Sequence, residues 1–231
     1  MTGHQLAEYR KQNRRTQVAT ARALGVSQTY LSLLEAGKRP LTGRVQKRAA
    51  RFFDLQPTEL PLHLTSGELP TVTDDQLAAD LADLGYPGFA HLRRKRQRRK
   101  NPADVLLTGL HANDRDARVV EAFPWLVLAF PDMNWKDLTR TAKIYDLQNR
   151  LGYIVSVARL VAEDRGEAEK TAKLRSYEET LAHSRLMRED TLCNESMTNP
   201  ERRWLAVNRP DEARKWNLLA GLLTRHLNHY D

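Results

Sequence analysis

The chain has 231 residues, 41% of them apolar and 29% charged, with a net charge of +8. That is enough apolar material for a packed core, and the length suits one large domain or two smaller ones. No apolar run reaches the ~18–20 residues that cross a bilayer. The start, MTGHQLAEYRKQ, lacks a signal-peptide apolar region, and the lone Cys193 excludes an intrachain disulfide, so a cytoplasmic protein is expected.

The charge is unevenly spread. Residues 1–61 hold 11 Lys/Arg against 4 Asp/Glu, and residues 62–231 hold 26 against 25. The second count includes seven positive charges in one block, RRKRQRRK at Arg93–Lys100, so the remainder of that part is net acidic. A basic head, a basic knot and a mildly acidic body suit a protein with a polyanion at one end and another partner elsewhere.

Helix signals crowd the first sixty residues. Leu6, Tyr9 and Arg10 share one helical face. Thr16 is suited to cap a second helix that stops at Gly25, a residue at ease in the left-handed conformation of a helix end. Ser27 caps a third helix, SQTYLSLLEAG, with Val26, Tyr30, Leu31 and Leu34 facing inward. Thr42 precedes a fourth, with Val45, Ala49 and Phe52 on its apolar side, and PTELP at 57–61 reads as one more short turn. A helix, a tight turn and a capped helix at these lengths form a helix-turn-helix. Ala21 lets the pair approach, and the second helix offers Ser27, Gln28, Thr29, Ser32 and Leu33 to a major groove.

These residues carry a resemblance to the Cro/CI-type phage-repressor helix-turn-helix family. The matching positions are Arg10, Thr16, Gln17, Ala21, Leu24, Gly25, Val26, Ser27, Leu34, Glu35, Gly37, Lys38, Arg39 and Pro40; Arg15 and Thr20 depart from the pattern, which favours apolar residues there. The resemblance implies double-stranded DNA as partner and a homodimer on a palindromic operator. Gln28, Thr29, Ser32 and Leu33 would meet base edges, Gln28 suiting adenine and Leu33 a thymine methyl. Gln17, Ser27, Lys38, Arg39 and Arg44 would hold phosphates, with Lys47 and Arg48 as weaker candidates.

Residues 62–74, rich in Pro, Gly, Ser and Thr, read as a linker between a DNA-binding domain at 1–61 and a helical domain at 75–231. DDQLAADLADLG is a short amphipathic helix with an acidic start, and GYPG is a turn. The basic block (Arg93, Arg94, Lys95, Arg96, Arg98, Arg99, Lys100) is either a second DNA-backbone contact or a solvated charge run. Asn101 caps a helix with Pro102 at its first position. The apolar segment 117–130 is interrupted by Pro124. Residues 135–164 read as one long helix with Ile144, Leu147, Leu151, Ile154, Val155, Ala158 and Val161 along one face. The segment 166–190 places Leu174, Tyr177, Leu181 and Leu186 inward, and two proline-opened helices close the chain. No period-2 alternation points to a sheet, so an all-α fold is expected: a small four- or five-helix domain followed by a larger helical one.

Trp204, Trp216, Arg202 and Arg203 are candidates for a partner interface, or two helices with their tryptophans inside. No catalytic constellation stands out, and no metal site: His226 and His229 have no third ligand nearby, the pairs Asp74–Asp75 and Glu178–Glu179 read as caps and surface charge, and Cys193 reads as a small buried hydrophobe. No enzyme activity and no cofactor are expected. The strings KNPADVLLTGL, VVEAFPWLVL, DLQNRLGYIVSVAR, REDTLCNESM and ERRWLAVNRPDEARKWNLL resemble bacterial helix-turn-helix regulators encoded beside abortive-infection-type nucleotidyltransferase toxins. That implies an autorepressor whose body restrains a toxin. The alternative is a body that binds a small molecule among its tryptophans and switches DNA affinity.

Overall fold

Thr2, Thr16, Ser27 and Thr42 each turn a side-chain oxygen onto a backbone N–H three residues ahead, and so start four successive helices. In the computed structural model, which describes residues 1–60, 62, 69–95, 99–222 and 227, these are α1 (Gly3–Gln12), α2 (Gln17–Leu24), α3 (Gln28–Glu35) and α4 (Gly43–Phe52), followed by a 3₁₀ turn at Pro57–Glu59. They form one compact unit, residues 1–61, around Leu6, Ala21, Leu24, Leu31, Leu34, Val45 and Ala49. Gly25 between α2 and α3 has φ +65°. A Cβ there would lie 2.2 Å from Nη1 of Arg48, which donates to the Leu24 carbonyl at 2.7 Å. The turn therefore needs glycine for its dihedral and for the arginine that braces it.

Phe52 is 36% exposed rather than buried; it meets Phe53 edge-on at 4.9 Å and lies beneath the Arg15 guanidinium, while Phe53, one residue on, packs against the core. Thr20 is fully buried and its hydroxyl has no partner. An orphaned buried hydroxyl costs about 1–3 kcal/mol, and valine has nearly its shape. Thr20→Val is expected to stabilise this unit by roughly 1 kcal/mol or more; slower amide exchange in α1–α3 would register it, and unchanged or faster exchange would refute it.

Residues 62–231 form the second unit. Its helices are α5 (Asp74–Leu84), α6 (Pro102–His111), α7 (Ala117–Ala129), α8 (Trp135–Ile144), α9 (Gln148–Asp164), α10 (Ala168–Ala182), α11 (Asn199–Asn208) and α12 (Asp211–Lys215), with a 3₁₀ segment at Pro87–Leu92. The fold is all-α. Helix α9 is the axis, with α6, α7, α8, α10 and α12 packed about it, and it is buried from Gln148 through Ala158.

The structure corrects several readings of this part. The span 135–164 is two helices, because Asp146 takes φ +57° and ends the first run; Ile144, read as inward, is 69% exposed beside that break. Pro124 does not interrupt α7. It removes only the donor for the Val120 carbonyl, and burial of Val119, Val120, Ala122, Phe123, Leu126, Val127 and Leu128 holds the helix through it. Helix α10 stops at Ala182, eight residues short of the predicted end. A minimal parallel pair, β1 (Asp190–Thr191) with β2 (Leu218–Leu219), stands where no sheet was expected; two-residue strands are too short for a period to show.

Glu178, read as surface charge, is 3% exposed. It accepts from Ser156 Oγ at 2.9 Å and Arg159 Nε at 2.7 Å, with Lys215 as a further partner. Burial acts to raise its pKa, and the bonds from Lys215, Arg159 and Ser156 together outweigh it, holding the carboxyl below the usual range. Asp74, read as a cap, is the first residue of α5, whose cap is Thr73; its carboxylate instead accepts from Arg115 and from the Asp116 N–H, both at 2.8 Å. Cys193 is fully buried and its thiol is pushed up to about 11 by that burial.

Candidate nucleic-acid interface

Helix α3 starts at Gln28, directly after its Ser27 cap. Ser27, Gln28, Thr29 and Ser32 are exposed, whereas Leu31 and Leu34 are fully buried on the opposite side. Leu33 is half-buried. It offers part of its side chain to a ligand, and its carbonyl accepts from the N–H groups of Lys38 and Arg39. The chain leaves α3 through Gly37, at φ +70°, and carries Lys38 and Arg39 into solvent immediately beyond the helix. Arg44 is exposed in the first turn of α4, whose cap is Thr42. One short polar helix face is thus flanked by cations and by the amide-bearing starts of neighbouring helices, which suits a phosphate backbone on either side of a groove.

The orientation of α3 is set from within. Glu35, at its end, is 7% exposed and takes a two-point contact from Arg10 of α1, Nε at 2.7 Å and Nη2 at 2.9 Å. Gln17 of α2 donates its amide to the same carboxylate at 2.9 Å. Arg10 also reaches the Arg15 carbonyl at 3.2 Å. Three helices therefore meet at one carboxylate, and Arg10 ties the α1–α2 loop to the same group. Burial acts to raise the Glu35 pKa, and the bonds from Arg10 and Gln17 outweigh it, leaving the group below its ordinary value.

This geometry bears on two phosphate-contact assignments. The half-buried side chain of Gln17 gives an amide N–H to Glu35, and the first-turn amides of α2 stand beside it as further donors. Arg48 is engaged with the Leu24 carbonyl as a brace for the turn. The Arg10–Glu35 pair was missed as a unit, although both residues belong to the sequence pattern and carry opposite charges.

The basic block behaves differently. Arg94 is bound by Asp83 (2.6 Å, Nε) and Asp80 (2.6 Å, Nη2), Lys100 by Asp80 at 2.5 Å, and Arg93 donates to the Ala82 carbonyl. Asp80 and Asp83 are each 3% exposed, and a buried carboxylate needs a cation. Arg93, Arg94 and Lys100 are therefore engaged by α5, although only Arg94 of the three is partly buried. Lys95 and Arg99 are exposed; Arg96 and Arg98 lie outside the described residues.

Of the four interface candidates in the body, Trp216 is fully buried. Its ring lies against Gly152, where a Cβ would approach it to 2.3 Å, and its N–H donates to Ser156 at 2.7 Å. It is core, and a glycine on α9 is what makes room for it. Arg202 is half-buried and donates to the Met197 and Glu195 carbonyls. Trp204 is 62% exposed and Arg203 is exposed. Among the described residues of the body, clefts of about 440 and 310 Å³ are lined without any tryptophan. Among the described residues no cluster of three or more His, Cys, Asp or Glu could hold a metal ion, and His226 and His229 lie outside them. No described helix is long and apolar enough to cross a membrane.

A family model described as a helix-turn-helix domain matches residues 3–62. No curated protein and no solved structure matches the chain.

Proposed function

From a helix-turn-helix domain at residues 3–62, the mark of a DNA-binding regulator, we propose that the protein is a sequence-specific transcriptional repressor of its own operon. Helix α3 reads the major groove through Gln28, Thr29, Ser32 and Leu33, while Ser27, Lys38, Arg39 and Arg44 hold phosphates. The observation that carries this reading is the exposure of Ser27, Gln28, Thr29 and Ser32 on a capped helix locked to its neighbours at Glu35. One such helix covers only a few base pairs, so the operator-bound form is a homodimer on a palindrome, with half-sites ~34 Å apart. The resemblance of residues 85–231 to toxin-linked regulators supports a second role for the body, which holds a toxin and makes the protein an antitoxin.

The test is fluorescence anisotropy on the DNA upstream of the gene, against a scrambled duplex, over a salt series. Gln28→Ala is expected to weaken specific binding by about 1–3 kcal/mol and to relax preference at one base pair. Lys38→Ala is expected to weaken both duplexes alike and to lower the salt slope by about one. Equal affinity of the wild type for the two duplexes would sink the repressor reading.

A further inference from the structure

Helix α11 keeps its shape while burying none of its ten residues. A free helix of that length is marginal in water, so its supports matter. Thr198 and Glu201 form a capping box at its head. Arg202 ties its first turn to the Met197 and Glu195 carbonyls, and Arg209 ties its end to Glu189 and to the Leu218 carbonyl. Arg214 of α12 closes the last turn, donating to the Val207 and Arg209 carbonyls. Arg202, Leu205 and Arg209 are the half-buried positions and mark the inner side. There Leu205 stands over the cleft of about 310 Å³, with Met197 and Leu219. By helical spacing, Pro200, Arg203, Trp204 and Val207 make the outer stripe. Trp204 is 62% exposed and Val207 is 69% exposed.

The charges choose the occupant. The stripe carries Arg203, is flanked by the exposed Arg214, and contains no carboxylate. Glu201, the acid of this helix, is held by the N–H and hydroxyl of Thr198. A second copy docked stripe to stripe would set Arg203 and Arg214 against their own kind with no acid in the facing stripe. A phosphate backbone would take the arginines and leave Trp204 and Val207 in water. A tryptophan between arginines on a rigid helix is the composition of an interface anchor. We propose that the outer stripe of α11 docks an acidic protein partner, with Trp204 filling an apolar notch and Arg203 meeting a carboxylate beside it, while Arg214, held on the Val207 and Arg209 carbonyls, adds its positive charge. This deepens the toxin-holding role proposed above by stating the chemistry of the surface that is held.

The experiment places a photo-crosslinking p-benzoylphenylalanine at position 207 of the full chain in its native host, followed by mass spectrometry of the adduct and purification of the protein found. The expected result is one adduct to a different protein with an acidic surface. That purified protein binds the wild type with an affinity that falls as salt is added. Binding weakens at least roughly 30-fold for Trp204→Ala and about tenfold for Arg203→Glu. Both altered residues are exposed, so both variants keep wild-type circular dichroism and operator affinity. An adduct between two copies of this chain, an adduct to DNA, no adduct, or a partner indifferent to Arg203→Glu would each overturn the proposal. A partner that passes these tests but is not harmful to the cell would leave the surface standing and remove the antitoxin role alone.

Discussion

Replacing Arg150 by methionine is expected to lower the stability of the C-terminal unit by about 3–5 kcal/mol. Arg150 is 6% exposed at the head of α9. Its guanidinium donates to Asp190 through Nε and Nη2, at 2.8 and 2.9 Å, and to the carbonyls of Leu110 and Ala112 at 2.8 Å each. One side chain thus joins α9 to the end of α6 and to β1. Methionine matches the apolar stem but abandons the half-buried Asp190 carboxylate and two carbonyls, and those orphaned groups account for the loss. All four tryptophans, at 125, 135, 204 and 216, belong to this unit, so urea melts followed by tryptophan fluorescence report on it alone. Arg188→Met, at an exposed position, should stay within about 0.5 kcal/mol of wild type. A loss below about 1 kcal/mol for Arg150→Met would show that the network adds little beyond packing.

Glu35→Ala is expected to cost the N-terminal unit about 3 kcal/mol, the lower end for a broken buried pair, since Arg10, at 14% side-chain exposure, can turn toward solvent. For about 60 residues the whole stability is only about 3–9 kcal/mol, so that loss removes a third of it or more. Hydrogen exchange of peptides from residues 1–60 should speed up by a factor on the order of 100, and operator binding should weaken while the tryptophan melt of the body is unchanged. Undiminished operator binding would refute the idea that Glu35 sets the α3 orientation. The same carboxyl predicts an acid response. Its folded pKa lies below its ordinary value of 4.5, so its contribution is complete above that value and is lost as pH falls through the depressed one. Protection of residues 1–60, corrected for intrinsic rates, should therefore decline on acidification below about pH 5, with a shallower decline in Glu35→Gln. Equal slopes would place the acid sensitivity elsewhere.

The N-terminal unit was legible because its signals are local. Thr16, Ser27 and Thr42 start helices by bonding three residues ahead, Gly25 supplies a left-handed turn, and the fully buried Leu31 and Leu34 stand at helical spacing from the exposed Gln28, Thr29 and Ser32. The bond of Gln17 to Glu35 does not show in the sequence because the two are 18 residues apart. The same limit explains the misreadings in the body. Glu178 sits beside Glu179 in the sequence, yet only α9 and α12, packed against it, make it an internal ion. Trp204 and Trp216 look alike in a segment rich in arginine; Gly152 and Ser156, some sixty residues away, bury one of them and leave the other in solvent. The basic block reads as free charge until Asp80 and Asp83 are seen turned inward from α5.

What the sequence by itself determined is the all-helical class, the four-helix unit at the start with its turn, and the polar residues at the head of α3. Caps, glycine dihedrals and periodic burial act within a few residues and need no partner from afar. What only the tertiary structure decided is which charges are structural and which are on offer. A buried carboxylate or guanidinium is stable only beside its counter-ion, and that counter-ion is chosen by packing between helices distant in sequence. The same packing made Trp216 core and left Trp204 as a surface.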